Sequence, residues 1–326
     1  MNNYKKYIFG LILIFVMSVS CYAQGTIPGI YNRSSNDPHG ASYLFVLEDH
    51  KFAITYFGGV LTGEWQLNGN KAEFIPFKSD RHFKIYGRHN KDLNDSSRVY
   101  FQHFDKQETF IGFDEQKSGK PLLKRVFNPN PNCVPYPSVY KFAGLPGNIS
   151  FSDQPYHFND ENSDPKAKRN IYTYNNNEKY NDFIAYYIED DSEKEPFYAL
   201  VKTDKLVFED DEVARRPLPT KGENLEFITK ITHAPRSVDK VFYNPFYNQS
   251  GEDVTDSLNF KFNKEKNAYI NFLNYVEGEE FRPNEQDAYN HMYIIYQFNL
   301  LPLADKKILP FAIDHNSLFT AVCEEL

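Results

Sequence analysis

The chain has 326 residues, a formal net charge of −8 and 41% hydrophobic residues, with a mean hydropathy of −0.61. That mix argues against an integral membrane protein, a collagen-like chain and a wholly disordered one. The acidic balance, with no basic stripe, excludes nucleic acid as a partner. The length favours two domains over one. The 24 Tyr, 29 Phe and one Trp amount to 17% of the chain, a composition that favours strands and large buried areas.

At the N-terminus, Lys5 and Lys6 precede an apolar run from Ile8 to Val19, followed by Cys21-Tyr22-Ala23-Gln24. This pattern reads as a secretory signal peptide over residues 1–23, cut after Ala23. The run is too short for a membrane span of about 20 residues, and no transmembrane span is expected in the mature chain. Cleavage removes two lysines and no acids, so the net charge moves from −8 to −10. A lipid anchor at Cys21 is the competing reading. Otherwise Cys133 and Cys323 remain, in a compartment where they can pair; two unpaired thiols are the alternative. Two cysteines so far apart are no metal signature.

From Gly29 to Phe127 the chain reads as consecutive short strands. Phe52, Ile54 and Tyr56 share one face, and Gly58-Gly59 turns the chain into Thr62–Leu67. A two-residue loop at Gly69-Asn70 pairs Trp65 with Phe74 and Leu67 with Ala72, and sets Gln66 opposite Glu73. Apolar then meets apolar, and Gly comes first in the turn. Strands follow at Phe83–Tyr86, Arg98–Phe104, Thr109–Phe113 and Leu122–Phe127. Prolines 129, 131, 135 and 137 deny ladder donors, so 129–137 reads as a linker between a module at 24–128 and a second one at 138–326.

The second module is again strand-rich: Val139–Phe142, Asn148–Phe151, Ile171–Tyr174, Phe183–Ile188, Phe197–Val201, Leu206–Phe208, Leu225–Thr232, Val241–Tyr243, Leu258–Phe262 and Ala268–Leu273. A softer boundary lies at 214–222, where Pro217 and Pro219 follow two arginines. Glu285–Leu300 is the best helix candidate, although Met292–Phe298 reads equally well as a buried strand. The expected fold is all-β and mainly antiparallel. It has an N-terminal barrel or sandwich and a second β-rich module with few helices.

Gly29-Ile30-Tyr31, Leu44–Leu47, Phe52–Phe57, Gly63-Glu64-Trp65 and Phe74–Phe77 together resemble the opening of small β-barrel modules of exported bacterial proteins. These include lipocalin-like domains and the barrel of an envelope lipoprotein associated with copper homeostasis and surface stress. The resemblance covers about 50 residues and implies a barrel. The Cys-x-x-Cys of the latter group is missing, so no metal role is carried over. In lipocalins the Gly-x-Trp lies on the first strand, so no ligand pocket is carried over either.

Searches for chemistry return little. There is no Gly-x-Ser-x-Gly elbow and no His-Glu-x-x-His. His82, His89 and His103 fall in one strand-rich region and would need a turn to converge. Asp160, Asn162 and Asp164 match the start of a calcium loop, but Pro165 stands where Gly is required and Ile171 where Glu is. An irregular calcium site is the remaining metal reading. Paired acids such as Asp190-Asp191 suit glycoside hydrolysis only if two carboxyls face across a cleft. Tyr172 and Tyr174, and Tyr243, Phe246 and Tyr247, mix with amides as glycan sites do; packing of these aromatics on the sheet is the competing reading.

The sequence therefore suggests an exported binding or interaction protein, periplasmic, outer-membrane-associated or extracellular. No cofactor is implied, and the partner is unspecified, with a glycan or an envelope protein as candidates. A secreted hydrolase acting on glycan or peptide is the alternative.

Overall fold

The computed structural model describes residues 26–33, 42–57, 59–79, 81–114, 121–154, 168–188, 194–209, 211–234, 238–277, 293–314 and 316–323. The signal-peptide reading, Cys21, and Asp160, Asn162 and Asp164 lie outside them. The fold is all-β and mostly antiparallel. No helix among the described residues is long and apolar enough to cross a membrane.

The described residues divide into two compact units, those within 1–79 and 191–236 and those within 80–190 and 237–326. The first unit begins with five strands: β1 (Gly29–Arg33), β2 (Ser42–Val46), β3 (Lys51–Tyr56), β4 (Gly59–Asn68) and β5 (Lys71–Pro76). Three more arrive over a hundred residues later: β14 (Phe197–Lys202), β15 (Lys205–Val207) and β16 (Glu212–Arg216). Pairing of β5 with β14 and of β16 with β1 closes an eight-stranded barrel.

The boundary expected at the proline cluster is thus displaced. Strands that sequence order assigns to a second module complete the first, because closing a barrel satisfies every edge. The β4–β5 hairpin has the expected register, with Trp65 opposite Phe74 and Leu67 opposite Ala72. Tyr31, Leu44, Phe52, Trp65 and Phe74 fill the interior. Phe45 and Ala53, cross-strand neighbours on the alternate face, are covered by α1 (Glu223–Thr232) through Ile228. Leu225–Thr232, expected as a strand from its β-branched residues, is helical. Leu225, Ile228 and Thr232 recur at helical spacing, and Glu223 and Glu226 suit a first turn.

The second unit begins with β6 (Phe83–Arg88), β7 (Ser96–Gln102), β8 (Glu108–Phe113), β9 (Leu122–Arg125), β10 (Val139–Ala143), β11 (Asn148–Gln154), β12 (Arg169–Asn175) and β13 (Asp182–Tyr187). After the barrel is complete, the chain adds β17 (Lys240–Tyr243), β18 (Gln249–Ser250), β19 (Phe260–Asn263), β20 (Ala268–Asn271), β21 (Ile294–Leu300), β22 (Leu303–Leu309) and β23 (Ala312–Asp314). Of the 285–300 segment, read as a helix or, over 292–298, as a buried strand, residues 294–300 form strand β21.

Nine strands form one sheet along the path β10-β7-β13-β6-β21-β17-β18, with β20 joined to β21 and β19 to β20. Six form another, β22-β12-β11-β8-β9-β23. Phe83, Ile85, Phe101 and Phe183 of the first meet Ile111, Phe151, Tyr172 and Tyr174 of the second in the largest core cluster. The proline segment lies within this unit. The backbone N–H groups of Asn128 and Asn132 donate to the C-terminal carbonyls of Phe319 and Ala321. Beside them Cys133 and Cys323 stand at disulfide distance, Cα atoms 5.0 Å apart.

Two glycines of the barrel hairpin separate packing from backbone effects. A Cβ on Gly63 would collide with the Ile75 carbonyl and the Phe52 ring, whereas one on Gly69 (φ 64°) meets nothing. Gly63→Ala should destabilise by about 3 kcal/mol through overpacking. Gly69→Ala should cost about 1 kcal/mol through its left-handed backbone. Denaturant unfolding of the two variants checks this; equal losses contradict the assigned register.

Candidate functional site

The face of the nine-stranded sheet turned away from the main core carries polar aromatics. Alternation along β6, β7 and β13 puts Phe83, Ile85, Val99, Phe101, Phe183 and Ala185 inside. The intervening positions, Tyr86, Tyr100, Ile184 and Tyr186, join Tyr243, Tyr247, Tyr296 and Phe298 on the second face. One cross-strand row of this face is charged. Asp182, fully buried, stands opposite Arg88 on β6 and Arg98 on β7. Its carboxylate accepts from Arg88 Nη2 at 2.7 Å, Arg98 Nε at 2.7 Å and Asn90 Nδ2 at 3.0 Å. The Arg88 guanidinium also lies 3.7 Å from the centre of the Tyr296 ring, a cation–π contact.

Two rows along, amides and phenols form a chain. Gln102 Nε2 donates to the hydroxyls of Tyr100 (3.2 Å) and Tyr243 (3.0 Å). The Tyr243 hydroxyl donates to Gln249 Oε1 at 3.2 Å and is hydrogen-bonded to that of Tyr186. Burial raises the phenols of Tyr86, Tyr100, Tyr243 and Tyr247 well above their ordinary range and pushes Tyr186 up to about 12. These hydroxyls are therefore neutral donors and acceptors, not bases.

This layer floors a cleft of about 500 Å³. Tyr100 and Gln102 of β7 form its base, His103 and Asp105 one rim, Asn248 and Gln249 another, and the Val134–Tyr136 segment a wall. Tyr136 is 59% exposed, packs edge-on against Tyr100 with ring centres 6.3 Å apart, and its hydroxyl donates towards the Tyr247 carbonyl and Asn248 Oδ1, each at 3.3 Å. Ser138 Oγ clamps the wall by donating to the Pro135 carbonyl at 2.5 Å.

Two residues lining the cleft, His103 (φ 64°) and Tyr247 (φ 63°), hold left-handed backbone, as does Cys133 (φ 47°) next to the wall. Each costs about 1–2 kcal/mol. Around Tyr247 the cost is met by buried Asn244, whose Oδ1 accepts from the N–H groups of Phe246 (3.0 Å) and Asn248 (2.8 Å). That turn directs the Tyr247 ring inward, near the Arg98 guanidinium (5.4 Å), and leaves Asn248 and Gln249 on the cleft.

The expected ligand residues are thus redistributed. Tyr172 and Tyr174 lie side by side on β12 but are fully buried between the two sheets, so neither offers a face to a sugar. Tyr243 and Tyr247 are buried beneath the cleft, and Phe246 is half-buried in the adjoining turn. Of the amides beside these rings, Asn248 lines the cleft from its turn, whereas Asn244 is buried. His82, His89 and His103 do not converge. His82 is paired with Asp153 at 2.6 Å, His89 packs against Tyr180, and His103 is at the cleft. Among the described residues no group of three His, Cys, Asp or Glu side chains is placed to hold a metal. Sequence reasoning passed over Tyr136, Gln102 and Gln249. A signal existed for the first: an aromatic between Pro135 and Pro137 cannot belong to a central strand.

Comparison with protein-family models, curated proteins and solved structures returns no match.

The buried phenols set an alkaline limit. With the Tyr186 pKa raised to about 12, the folded state keeps a proton that the unfolded chain loses near pH 10. This contribution is complete below about pH 10 and is lost as pH rises through 12. Tyrosinate absorbance and circular dichroism followed together should show these tyrosines ionising only as the fold is lost. Full ionisation near pH 10 with the fold intact contradicts the buried layer.

Proposed function

We propose that the chain is an exported, non-enzymatic binding protein of the cell envelope or extracellular space, and that the Tyr136 cleft takes a neutral polar ligand of carbohydrate type. The observation that carries this reading is the exposed Tyr136 ring beside side-chain amides and phenols already ordered by one another. A sugar ring offers an apolar face for stacking and hydroxyls for amides, and pre-ordered partners lower the entropic cost of binding. Asp105 is the one carboxylate among the described lining residues, which favours binding over two-carboxylate hydrolysis.

Export is supported by the N-terminal pattern of residues 1–23 and by the Cys133–Cys323 pair, whose persistence fits an oxidising compartment. The resemblance of the first strands to envelope barrels points the same way. A soluble mature chain starting at Gln24 is preferred to a lipid anchor at Cys21.

Two measurements test this. Titration calorimetry against a panel of neutral oligosaccharides should find a ligand whose affinity falls at least about tenfold, about 1.4 kcal/mol, in Tyr136→Ala. The thermal midpoint should fall only slightly, because the ring is mostly exposed and its packing on Tyr100 and two 3.3 Å hydrogen bonds are all that is lost; wild-type affinity in the variant rejects the cleft. Mass spectrometry of protein from the native host should give Gln24 as the first residue and a Cys133–Cys323 linked peptide. An intact Met1 refutes the export reading, and two free thiols refute the pairing of Cys133 with Cys323.

A further inference from the structure

The six-stranded sheet of the second unit has two unlike faces. Ile149, Phe151, Tyr172 and Tyr174 project into the core. Their neighbours Ser150 and Thr173 face the other way. The pairing registers align Gly112, Ser150, Thr173 and Asp305 in one row across β8, β11, β12 and β22. Three strand spacings make this row about 14 Å long.

An open sheet face usually carries long charged side chains. Here the row is small, and taller neighbours flank it. Ile171, Leu309 and Phe311 cluster on one side; Asn148 and Asn175, opposite one another, stand on the other. Leu123 closes one end, packed so tightly on Gly112 that a Cβ there would lie 2.5 Å from its Cδ2. The result is a trough of about 500 Å³ running across the strands.

Its chemistry is specific. Ser150 Oγ and Thr173 Oγ1 lie 3.0 Å apart, bonded to one another. Asp305 is neutralised by Lys307, and Asp114 Oδ1 accepts from the backbone N–H groups of Gly147 (2.6 Å) and Asn148 (3.0 Å). The floor therefore offers hydroxyls and amides beside one apolar wall, with Asp305 paired to Lys307 and Asp114 left as one hydrogen-bonded negative charge at its edge. An anionic ligand would meet a net negative lining without a free cation among the described residues, whereas a chain of neutral sugars matches both sides, its C–H faces against the wall and its hydroxyl edge on the floor.

We infer that this trough is a second binding site, for a neutral linear glycan laid across the strands. The choice of ligand rests on reading the protein as a glycan binder; the site itself is separate from the Tyr136 cleft. Two sites on one unit would give a long polysaccharide an avidity that short oligosaccharides lack.

Thr173→Tyr fills the floor from an outward-facing position, and Asn148→Ala with Asn175→Ala removes the amide side without adding bulk. Both would be titrated, beside wild type and Tyr136→Ala, with neutral linear trisaccharides to hexasaccharides of glucose, mannose and xylose. Two classes of site are expected in wild type. Thr173→Tyr should abolish one, and the double alanine variant should weaken the same one at least about tenfold. Tyr136→Ala should spare it. One class insensitive to both trough variants but lost in Tyr136→Ala overturns the trough and leaves the cleft. One class with the opposite response overturns the cleft and leaves the trough. Absence of binding to every sugar overturns both.

Discussion

Asp182 sits directly opposite Arg88 on one neighbouring strand and Arg98 on the other, and this row fixes the second unit. Strand side chains alternate, so slipping β13 by one residue would carry the carboxylate to the opposite face, among Phe83, Phe101 and Phe151. An unpaired charge there would cost several kcal/mol. The triad therefore specifies register more than it adds net stability. It leaves one positive charge in excess, which the Tyr296 ring at 3.7 Å partly answers. With β6, β7 and β13 held in register, Tyr100, Gln102 and Tyr186 fall on the face that floors the cleft.

Local constraints then shape the cleft from different parts of the chain. Asn244 builds the turn that keeps Tyr247 left-handed, while the paired cysteines and the ladder to Phe319 and Ala321 hold the Val134–Tyr136 wall. The proline run, barred from strands, becomes a surface strap fastened by the C-terminal segment. A cleft whose walls are fixed before binding needs little ordering when a ligand arrives.

The high aromatic content is mainly architectural. Rings from both sheets interlock at centroid separations such as 5.1 Å for Phe83 with Phe151 and 5.6 Å for Phe83 with Tyr172. Tyrosines on the other face add hydroxyls that need partners once buried, and the Gln102–Tyr243–Gln249 chain supplies them. Tyr136 remains as an exposed ring beside those polar groups. The surface chemistry of this unit lies in amides and small hydroxyls positioned by buried aromatics.

Local patterns made much of the β structure readable: the alternation of Phe52 and Ile54, the Gly69-Asn70 register that pairs Trp65 with Phe74, and the all-β class follow from side-chain period and turn chemistry. The Cys133–Cys323 pairing was readable as one of two options. Helix α1 was missed because β-branched composition outweighed a three-turn periodicity. What neighbours in sequence cannot encode are partners far apart along the chain: β14 completing the barrel beside β5, or Asp182 meeting Arg88 and Arg98. The cleft belongs to that second class, since Tyr136, Gln102 and Gln249 come from three separated segments. Most strands are written in the local side-chain pattern, because alternation and turn residues act between near neighbours; the helix at Glu223–Thr232 is the exception. Pairing, register and the covering of rings are settled in the folded chain, because they depend on contacts between distant segments.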